Sequence, residues 1–320
     1  DNITVELKDT DDGVWEALFP YHFSGPKAIQ WKINGINVLH SYTTIYYSYG
    51  RPVNFVDIPD PDVDYILIKD VPHGSVSHEY YFSNSTGNWE TCIVYTPPGY
   101  ETGEKSYPIL YLQHGAGEGE TSWFWNGKVN FILDNLIAEG KCELFIVVMN
   151  NGMVRSNKGA PAQGMDFTTF TGMLLDDCMP FVEKKYRVKG DKWSRAMAGL
   201  SMGSMQTSMT HPELFGWLGL FSGFMRKLGG DESHYSEAQS HLRALNDLEQ
   251  FKKNYKLFFR AMGTGDAYWK SFAEDDEFCK EIGADPENLD IHIRKTYSGI
   301  HDWNVWRICI HDFAQLIFKD

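Results

Sequence analysis

The chain has 320 residues, of which 42% are hydrophobic and 22% charged, and its formal net charge is −14. This composition is typical of a folded protein and argues against a disordered chain or a fibre, while the acidic balance argues against a nucleic-acid partner. No apolar run approaches the roughly 18–20 residues of a membrane-spanning helix, so we expect no membrane partner.

The first seventy or so residues are predicted to form β structure. Short β-branched and aromatic segments alternate there with turns such as Asn34-Gly35 and Gly50-Arg51-Pro52. The segments are TVEL, VWEALFPYHF, AIQWKI and TIYYSY, with a further strand predicted at Tyr65–Ile68. This spacing indicates a small Ig-like β-sandwich, which we assign to residues 1–74.

From residue 75 the pattern becomes that of an α/β domain. Residues 78–100 predict two antiparallel strands joined around Asn84–Asn88, and apolar strands then alternate with helical segments. The strands are predicted at Tyr107–Gln113, Leu144–Met149, Ala196–Leu200, Trp217–Phe221, Leu257–Ala261 and Ile291–Thr296, and the helices at Val129–Glu139, Phe170–Lys185 and Trp303–Phe318. This alternation predicts a mostly parallel sheet with helices on both faces, in a domain of residues 75–320.

The segment Gly199-Leu200-Ser201-Met202-Gly203 matches the pattern G-x-S-x-G. An apolar segment that can form a buried strand precedes it, and residues 204–210 can form a helix. A serine on such a sharp strand-to-helix turn is exposed at the carboxyl edge of the sheet, near a helix N terminus that stabilises negative charge. We therefore predict that Ser201 is a nucleophile; the alternative is an ordinary glycine-rich turn.

A serine nucleophile needs a general base, which is usually a histidine. In α/β-hydrolases an acid and then the histidine follow the serine in the chain, and six histidines follow Ser201 here. His301 is the candidate, because it lies in a loop between the last predicted strand and the terminal helix. The others are assigned to helices, strands or solvated segments: His211, His234, His241, His292 and His311.

The acid and the oxyanion donors are predicted from their positions after strands. Asp266 directly follows a predicted buried strand and can orient the imidazole, whereas the charge run Asp275–Glu277 is expected to face solvent. The tetrahedral intermediate needs two N–H donors. We assign them to Met202, the residue after the nucleophile, and to Ala116, in the loop after the first central strand, where Gly115 permits the turn.

Three segments together resemble carbohydrate esterase family 1. They are RAMAGLSMGSMQ, YLQHGAGEGETSW and SGIHDWNVWR. The resemblance covers about residues 75–320, and it implies an α/β-hydrolase fold with the nucleophile, base, acid and oxyanion donors named above. One departure is Ser204, where the family often has a second glycine.

The N-terminal region resembles the family 48 carbohydrate-binding module that often precedes such esterases. Four aromatic residues there are candidates for a sugar-binding face: Trp15, Trp31, Tyr46 and Tyr47. They could equally be core or interface residues. Whether this domain binds glycan or shapes the entrance to the esterase site stays open.

The resemblance implies a serine esterase acting on ester-decorated plant polysaccharide, such as xylan or xylo-oligosaccharides. Besides Gly115, candidate substrate-binding residues are Trp123, Trp125, Gln206, Phe224, Trp269 and Trp303. The aromatic residues favour feruloyl esters. Acetylxylan esterase, acyl transfer to another sugar and an inactive carbohydrate-binding protein are the alternatives. We expect a secreted or extracellular protein, although residues 1–13 lack the pattern of a signal peptide.

No cofactor or metal site is predicted. His73 and His78 have no H-E-x-x-H context, and none of the five cysteines forms a C-x-x-C pair. Because the number of cysteines is odd, at least one thiol is unpaired within a monomer. The disulfide pattern and the oligomeric state are left open.

Overall fold

A computed structural model describes residues 4–18, 24–48, 50–154, 166–206, 211–223, 225, 245 and 247–319, with the backbone alone at residue 167. Within these residues the strands form one large sheet of eight strands and three small sheets. The small sheets precede Ser75, and the large sheet begins there. No helix of the described residues is both long enough and apolar enough to cross a bilayer.

The N-terminal region is all-β, as predicted, and its strands are short. They are β1 (Lys8–Asp9), β2 (Trp15–Glu16), β3 (Gly25–Ile29), β4 (Trp31–Ile33), β5 (Ile36–Val38), β6 (Ile45–Ser48) and β7 (Arg51–Ile58). Strands β3, β7 and β6 form one antiparallel sheet, and β1-β2 and β4-β5 are two-stranded. Tyr46, Val53 and Phe55 form a small separate core. The interpretation of residues 1–74 as a carbohydrate-binding-module-like domain stays a prediction.

The strand predicted at Tyr65–Ile68 is wrong, because this segment consists of turns. Three of its backbone groups have partners that are not in a neighbouring strand. The Leu67 N–H donates to the carbonyl oxygen of Asp64, at 3.0 Å. The side-chain amide of Asn135 donates to the carbonyl oxygens of Tyr65 and Leu67, at 2.9 and 3.0 Å. With these partners the segment does not need a neighbouring strand.

The large sheet confirms the predicted α/β architecture. Its strands are β8 (Ser75–Ser83), β9 (Asn88–Thr96), β10 (Ile109–Gln113), β11 (Ile146–Asn150), β12 (Arg195–Leu200), β13 (Trp217–Phe221), β14 (Leu257–Gly263) and β15 (His292–Tyr297). Their order is β15-β14-β13-β12-β10-β11-β9-β8. The pairs β8-β9 and β9-β11 are antiparallel and the other pairs are parallel. The carboxyl ends of β10 and β12 to β15 therefore meet at one edge.

Helices cover both faces of this sheet. They are α1 (Ser122–Trp125), α2 (Val129–Ala138), α3 (Phe167–Gly172), α4 (Met179–Lys185), α5 (Met202–Gln206), α6 (Leu248–Asn254), α7 (Trp269–Glu281) and α8 (Trp303–Ala314). A π-helical segment, Met173–Cys178, joins α3 to α4, and Lys192–Ser194 is a short 3-10 helix. Alternate residues of β10 belong to different apolar cores, with Tyr111 in one and Leu112 in the other. The two cores thus lie on opposite faces.

The prediction that the charge run Asp275–Glu277 faces solvent is wrong for Asp275. This residue lies on the buried side of α7, and its carboxylate is 3.8 Å from the buried guanidinium of Arg260. It also accepts the N–H of Met225, at 2.5 Å. A buried guanidinium needs acceptors. The packing of α7 against β14 therefore buries the carboxylate of Asp275 next to Arg260.

The N-terminal sheets pack against the rest of the protein, which contains the large sheet, through polar contacts. The buried guanidinium of Arg307, on α8, forms an ion pair with Asp57 at 2.6 Å and donates to the carbonyl oxygen of Asn126 at 2.7 Å. The side-chain amide of Asn304 donates to the carbonyl oxygen of Ser24 at 2.9 Å. Because these residues of α8 closely follow the loop of His301, the N-terminal region supports one wall of the candidate site.

Candidate active site

Ser201 lies on a sharp turn between β12 and α5, as the motif predicts. Its φ of 50° is in the left-handed region, which a residue with a side chain rarely adopts. The flanking glycines allow the turn to pack closely. A Cβ on Gly199 would lie 2.4 Å from the carbonyl oxygen of Gly203, and a Cβ on Gly203 would lie 2.6 Å from that of His114. Side chains at these two positions would therefore force the backbone apart.

Ser204 fits into this turn, although it departs from the family pattern. Its hydroxyl donates to the carbonyl oxygen of Ser201. On the other side it faces Gly223, where a Cβ would lie only 1.9 Å from the Ser204 hydroxyl oxygen. The absence of a side chain at Gly223 thus makes room for the hydroxyl of Ser204.

His301 and Asp266 form a direct hydrogen bond. The distance between His301 Nδ1 and Asp266 Oδ2 is 2.8 Å, the aspartate side chain is fully buried, and the imidazole is 24% exposed. The other oxygen, Oδ1, accepts the N–H of Tyr268 at 2.9 Å. Burial alone would raise the pKa of Asp266, but the hydrogen bonds from His301 and Tyr268 outweigh it, and the pKa is lowered. Asp266 is therefore held as a carboxylate.

The loops that carry these two residues are joined by backbone hydrogen bonds. The N–H of Thr264 donates to the carbonyl oxygen of Tyr297, and the N–H of Gly265 donates to the carbonyl oxygen of Gly299, both at 2.8 Å. Asp266 follows β14, His301 follows the adjacent strand β15, and Ser201 follows β12. Because parallel strands end at a common edge, all three residues lie along the carboxyl edge of the sheet.

The loop of residues 114–118 lies against Ser201. A Cβ on Gly115 would be 3.5 Å from Ser201 Cβ and 2.7 Å from Leu200 Cδ1. His114 holds the loop through both of its ring nitrogens. Its Nε2 accepts the N–H of Gly152, and its Nδ1 is 2.8 Å from the carbonyl oxygen of Gly115. Burial lowers the pKa of His114. The neutral imidazole, with its proton on Nδ1, satisfies both contacts.

The two N–H groups predicted to stabilise an oxyanion belong to Met202, which follows Ser201 in the chain, and to Ala116, which follows Gly115 in the loop that lies against Ser201. Met202 is the first residue of α5, and such N–H groups have no acceptor within their own helix. Ala116 is exposed at the tip of the loop. The structure therefore places both groups close to Ser201 in the fold. Their assignment as oxyanion donors remains a proposal.

Glu118 is a site residue that our sequence analysis missed. Its carboxyl group is buried, accepts the N–H of Gly115 at 3.0 Å, and accepts the indole N–H of Trp303 at 3.1 Å. Burial raises the pKa of Glu118 to about 7, although both hydrogen bonds act in the opposite direction. No pattern in the sequence distinguishes this glutamate from the nearby Glu120, because its partners come from the fold.

The predicted aromatic residues of the site fall into two groups. Trp123 and Trp303 are buried and pack edge to face, with ring centroids 5.1 Å apart. The indole N–H of Trp123 donates to the carbonyl oxygen of Gln113 at 2.9 Å. Trp125 is 38% exposed and Trp269 is partly buried. Trp123 and Trp303 thus belong to the packed interior, whereas Trp125 and Trp269 each have surface available to a ligand.

The last two predicted substrate-binding residues are Gln206 and Phe224. Gln206, at the end of α5, is buried and its side-chain amide donates to the carbonyl oxygen of Gly152 at 2.8 Å. It therefore joins α5 to the loop after β11. Phe224 lies outside the described residues, as do His234 and His241.

No metal-binding cluster is present among the described residues, where no three His, Cys, Asp or Glu side chains converge. All five cysteines are free and buried.

Comparison with known proteins identifies relatives of this chain. The model of the Esterase family matches residues 83–313. The chain is 35% identical over 283 residues to an endo-1,4-beta-xylanase/feruloyl esterase of Xylanibacter ruminicola, covering 86% of this chain and 36% of that protein. It is 30% identical over 246 residues to endo-1,4-beta-xylanase Y of Acetivibrio thermocellus, covering 71% of this chain and 22% of that protein. The chain therefore spans about a third or less of these relatives' length.

Solved structures show the same fold. A CE1 ferulic acid esterase from Anaeromyces mucronatus, in complex with ferulic acid, matches with a TM-score of 0.65 at 21% identity, covering 81% of this chain and 96% of that one. This likeness confirms the predicted α/β-hydrolase fold. Since the family model also matches most of the sequence, including the segments of Ser201, Asp266 and His301, the chain belongs to the Esterase family.

Proposed function

We propose that this protein is a serine carboxylic-ester hydrolase that removes feruloyl groups from plant cell-wall polysaccharide such as arabinoxylan. The observation that carries the proposal is the 2.8 Å hydrogen bond between His301 and the buried Asp266, at the sheet edge where the strained Ser201 also lies. The name of the Xylanibacter ruminicola relative, a xylanase and feruloyl esterase, supports the choice of substrate.

In the first half of the reaction, Ser201 Oγ attacks the ester carbonyl carbon while His301 Nε2 takes the hydroxyl proton. The carboxylate of Asp266 keeps the ring proton on Nδ1 and stabilises the imidazolium that forms. The backbone N–H groups of Met202 and Ala116 stabilise the negative charge that develops on the carbonyl oxygen. His301 then donates this proton to the sugar oxygen as the bond between that oxygen and the carbonyl carbon breaks, so the sugar leaves as an alcohol and a feruloyl ester of Ser201 remains.

In the second half, His301 Nε2 removes a proton from water, which attacks the acyl carbon and forms a second tetrahedral intermediate. Its collapse releases ferulate and returns the proton to Ser201. Trp125 and Trp269, which have surface available to a ligand, are proposed to contact the feruloyl ring or the sugar chain. Because the substrate is a cell-wall polymer, we also propose that the protein acts outside the cell.

Initial rates on methyl ferulate and on acetylated xylan test this proposal. We expect release of ferulate from methyl ferulate and from feruloylated arabinoxylan. Ser201→Ala should lower kcat by roughly 10⁴- to 10⁶-fold while the protein remains folded. Release of acetate without ferulate would favour acetylxylan esterase instead. A Ser201→Ala variant that kept more than a tenth of the wild-type rate would contradict the mechanism.

A further inference from the structure

Glu118 joins two loops of the candidate site through its two carboxyl oxygens. Oε2 accepts the backbone N–H of Gly115, at 3.0 Å, from the loop that carries Ala116. Oε1 accepts the indole N–H of Trp303, at 3.1 Å, two residues after His301 in the chain. The carboxyl group is buried, so no bulk water replaces either contact.

This pair of donors suits an ionised carboxylate and no other side chain of the same size. A carboxylate has two acceptor oxygens and no donor, so it satisfies both N–H groups at once. A glutamine has one acceptor oxygen and an NH2 group. Its NH2 group would face either the Gly115 N–H or the Trp303 N–H and leave that donor unpaired. Burial of an acid is costly, as the raised pKa of Glu118 shows.

The contact with Gly115 restrains the peptide next to the proposed oxyanion donor. The N–H of Glu118 also closes the turn by donating to the carbonyl oxygen of Gly115, at 3.3 Å. From outside, the N–H of Gly50 donates to the carbonyl oxygen of Gly117, at 2.9 Å. Both neighbours of Ala116 are therefore held by hydrogen bonds, and these bonds restrain the orientation of the Ala116 N–H.

The contact with Trp303 reaches the proposed general base through rings that pack edge to face. The rings of Trp303 and Trp306 pack edge to face with centroids 5.1 Å apart, and Trp306 packs in the same way against the imidazole of His301, also at 5.1 Å. The indole of Trp303 is buried. A shift of this indole would therefore change the packing around His301.

We propose that Glu118 is a positioning residue, which holds the loop of Ala116 and the loop of His301 in the arrangement that stabilises the transition state. The inference rests on the proposed ester hydrolysis. It predicts that Glu118 acts on the transition state and has little influence on the binding of the ester or of the product.

The test compares Glu118→Gln with wild type in kcat, KM, ferulate affinity and the affinity for phenylboronic acid, which forms a tetrahedral adduct on a serine nucleophile. We expect kcat on methyl ferulate to fall about 10- to 100-fold, less than the loss of a whole oxyanion donor. The affinity for phenylboronic acid should fall by a similar factor, whereas KM and ferulate affinity should stay within about twofold.

Trp303→Phe is the second variant, since it keeps a ring in the core and removes the indole N–H. Its kcat should fall about threefold to tenfold, as expected for one lost hydrogen bond. In combination with Glu118→Gln it should add little, because both substitutions break the same link. If Glu118→Gln does not fold, an unchanged kcat in Trp303→Phe overturns the proposal.

Asp177→Asn is the matched control. Asp177 is also a buried acid that accepts turn donors, namely the Ser83 hydroxyl at 2.7 Å and the Ser85 N–H at 3.1 Å, but it lies on the π-helical segment. The Asp177→Asn variant should have a lower melting temperature than the wild type and an unchanged kcat. The proposal is overturned if Glu118→Gln keeps kcat within about twofold, or if it weakens ferulate and phenylboronic acid equally. Inactive wild-type protein would instead refute the proposed ester hydrolysis.

Discussion

Replacing Asp266 by asparagine should abolish most activity while leaving the fold intact. In the wild type, one carboxyl oxygen accepts from His301 Nδ1 at 2.8 Å and the other accepts the N–H of Tyr268 at 2.9 Å. An asparagine that keeps the Tyr268 contact through its oxygen turns its NH2 group towards His301. The imidazole must then accept at Nδ1 and carry its proton on Nε2, where it cannot take a proton from Ser201.

The loss expected from this change of tautomer is about 10⁴-fold in kcat, which corresponds to roughly 5 kcal/mol of transition-state stabilisation. The assay is the initial rate of methyl ferulate hydrolysis, with the melting temperature measured in parallel. KM should change little, because Asp266 is fully buried and cannot reach the ester. Labelling by a fluorophosphonate should slow by a comparable factor, since it needs the same activated serine.

A second histidine-aspartate pair provides the control. Asp134, on α2, accepts from His73 Nδ1 at 2.8 Å and from the N–H of Gly74 at 2.9 Å, and its side chain is buried like that of Asp266. Asp134→Asn should lower the free energy of unfolding without changing kcat. A folded Asp266→Asn variant with more than a tenth of the wild-type kcat would refute the assigned role of the carboxylate.

Three further predictions concern stability. Arg307→Met leaves Asp57 and the carbonyl oxygen of Asn126 without their buried donor, so it should lower the free energy of unfolding in urea by about 3 kcal/mol. Gly203→Ala should cost about 1–3 kcal/mol in the same assay, because its Cβ would meet backbone atoms at 2.6 Å. Burial raises the pKa of Glu118 from 4.5 to about 7, so the folded protein keeps a proton that the unfolded chain releases, and stability should fall as pH rises through this window. Glu118→Gln should remove about 3 kcal/mol of that fall, and an unchanged pH dependence would contradict the raised pKa.

Local patterns were sufficient to predict the strands of the large sheet and several of its helices, but the sequence analysis predicts neither α6 nor α7. Between Arg195 and Gln206 an apolar strand, two glycines and a helix-forming segment follow one another directly. Few other structures fit such a pattern, so it predicts the local structure without further information. The predicted strands from Trp217 to Thr296 differ from the observed ones by at most two residues at either end. Such short-range signals do not depend on the rest of the chain.

The N-terminal region was predicted less well, for a physical reason. The sequence analysis places Arg51 and Pro52 in a turn and predicts no strand for residues 53–58, whereas all of them belong to strand β7, Arg51–Ile58. Pro52 lies where β7 pairs with β6 alone, since the pairing with β3 begins at Asn54. The missing N–H of Pro52 therefore removes no hydrogen bond to β3. The position of a proline within a sheet follows from the sheet order, which local residue patterns do not contain.

The amino-acid sequence by itself determined the sharp turn of Ser201 and the alternation of strands and helices, because each depends on neighbouring residues. It also gave the chain order of serine, acid and histidine, which is read directly from the sequence. Tertiary structure alone decided which acids are buried. Glu118 and Asp275 look like ordinary surface residues in the sequence, yet the fold encloses both, since their partners Trp303 and Arg260 arrive from distant segments. Burial is a property of packing, and packing depends on contacts between residues far apart in the chain.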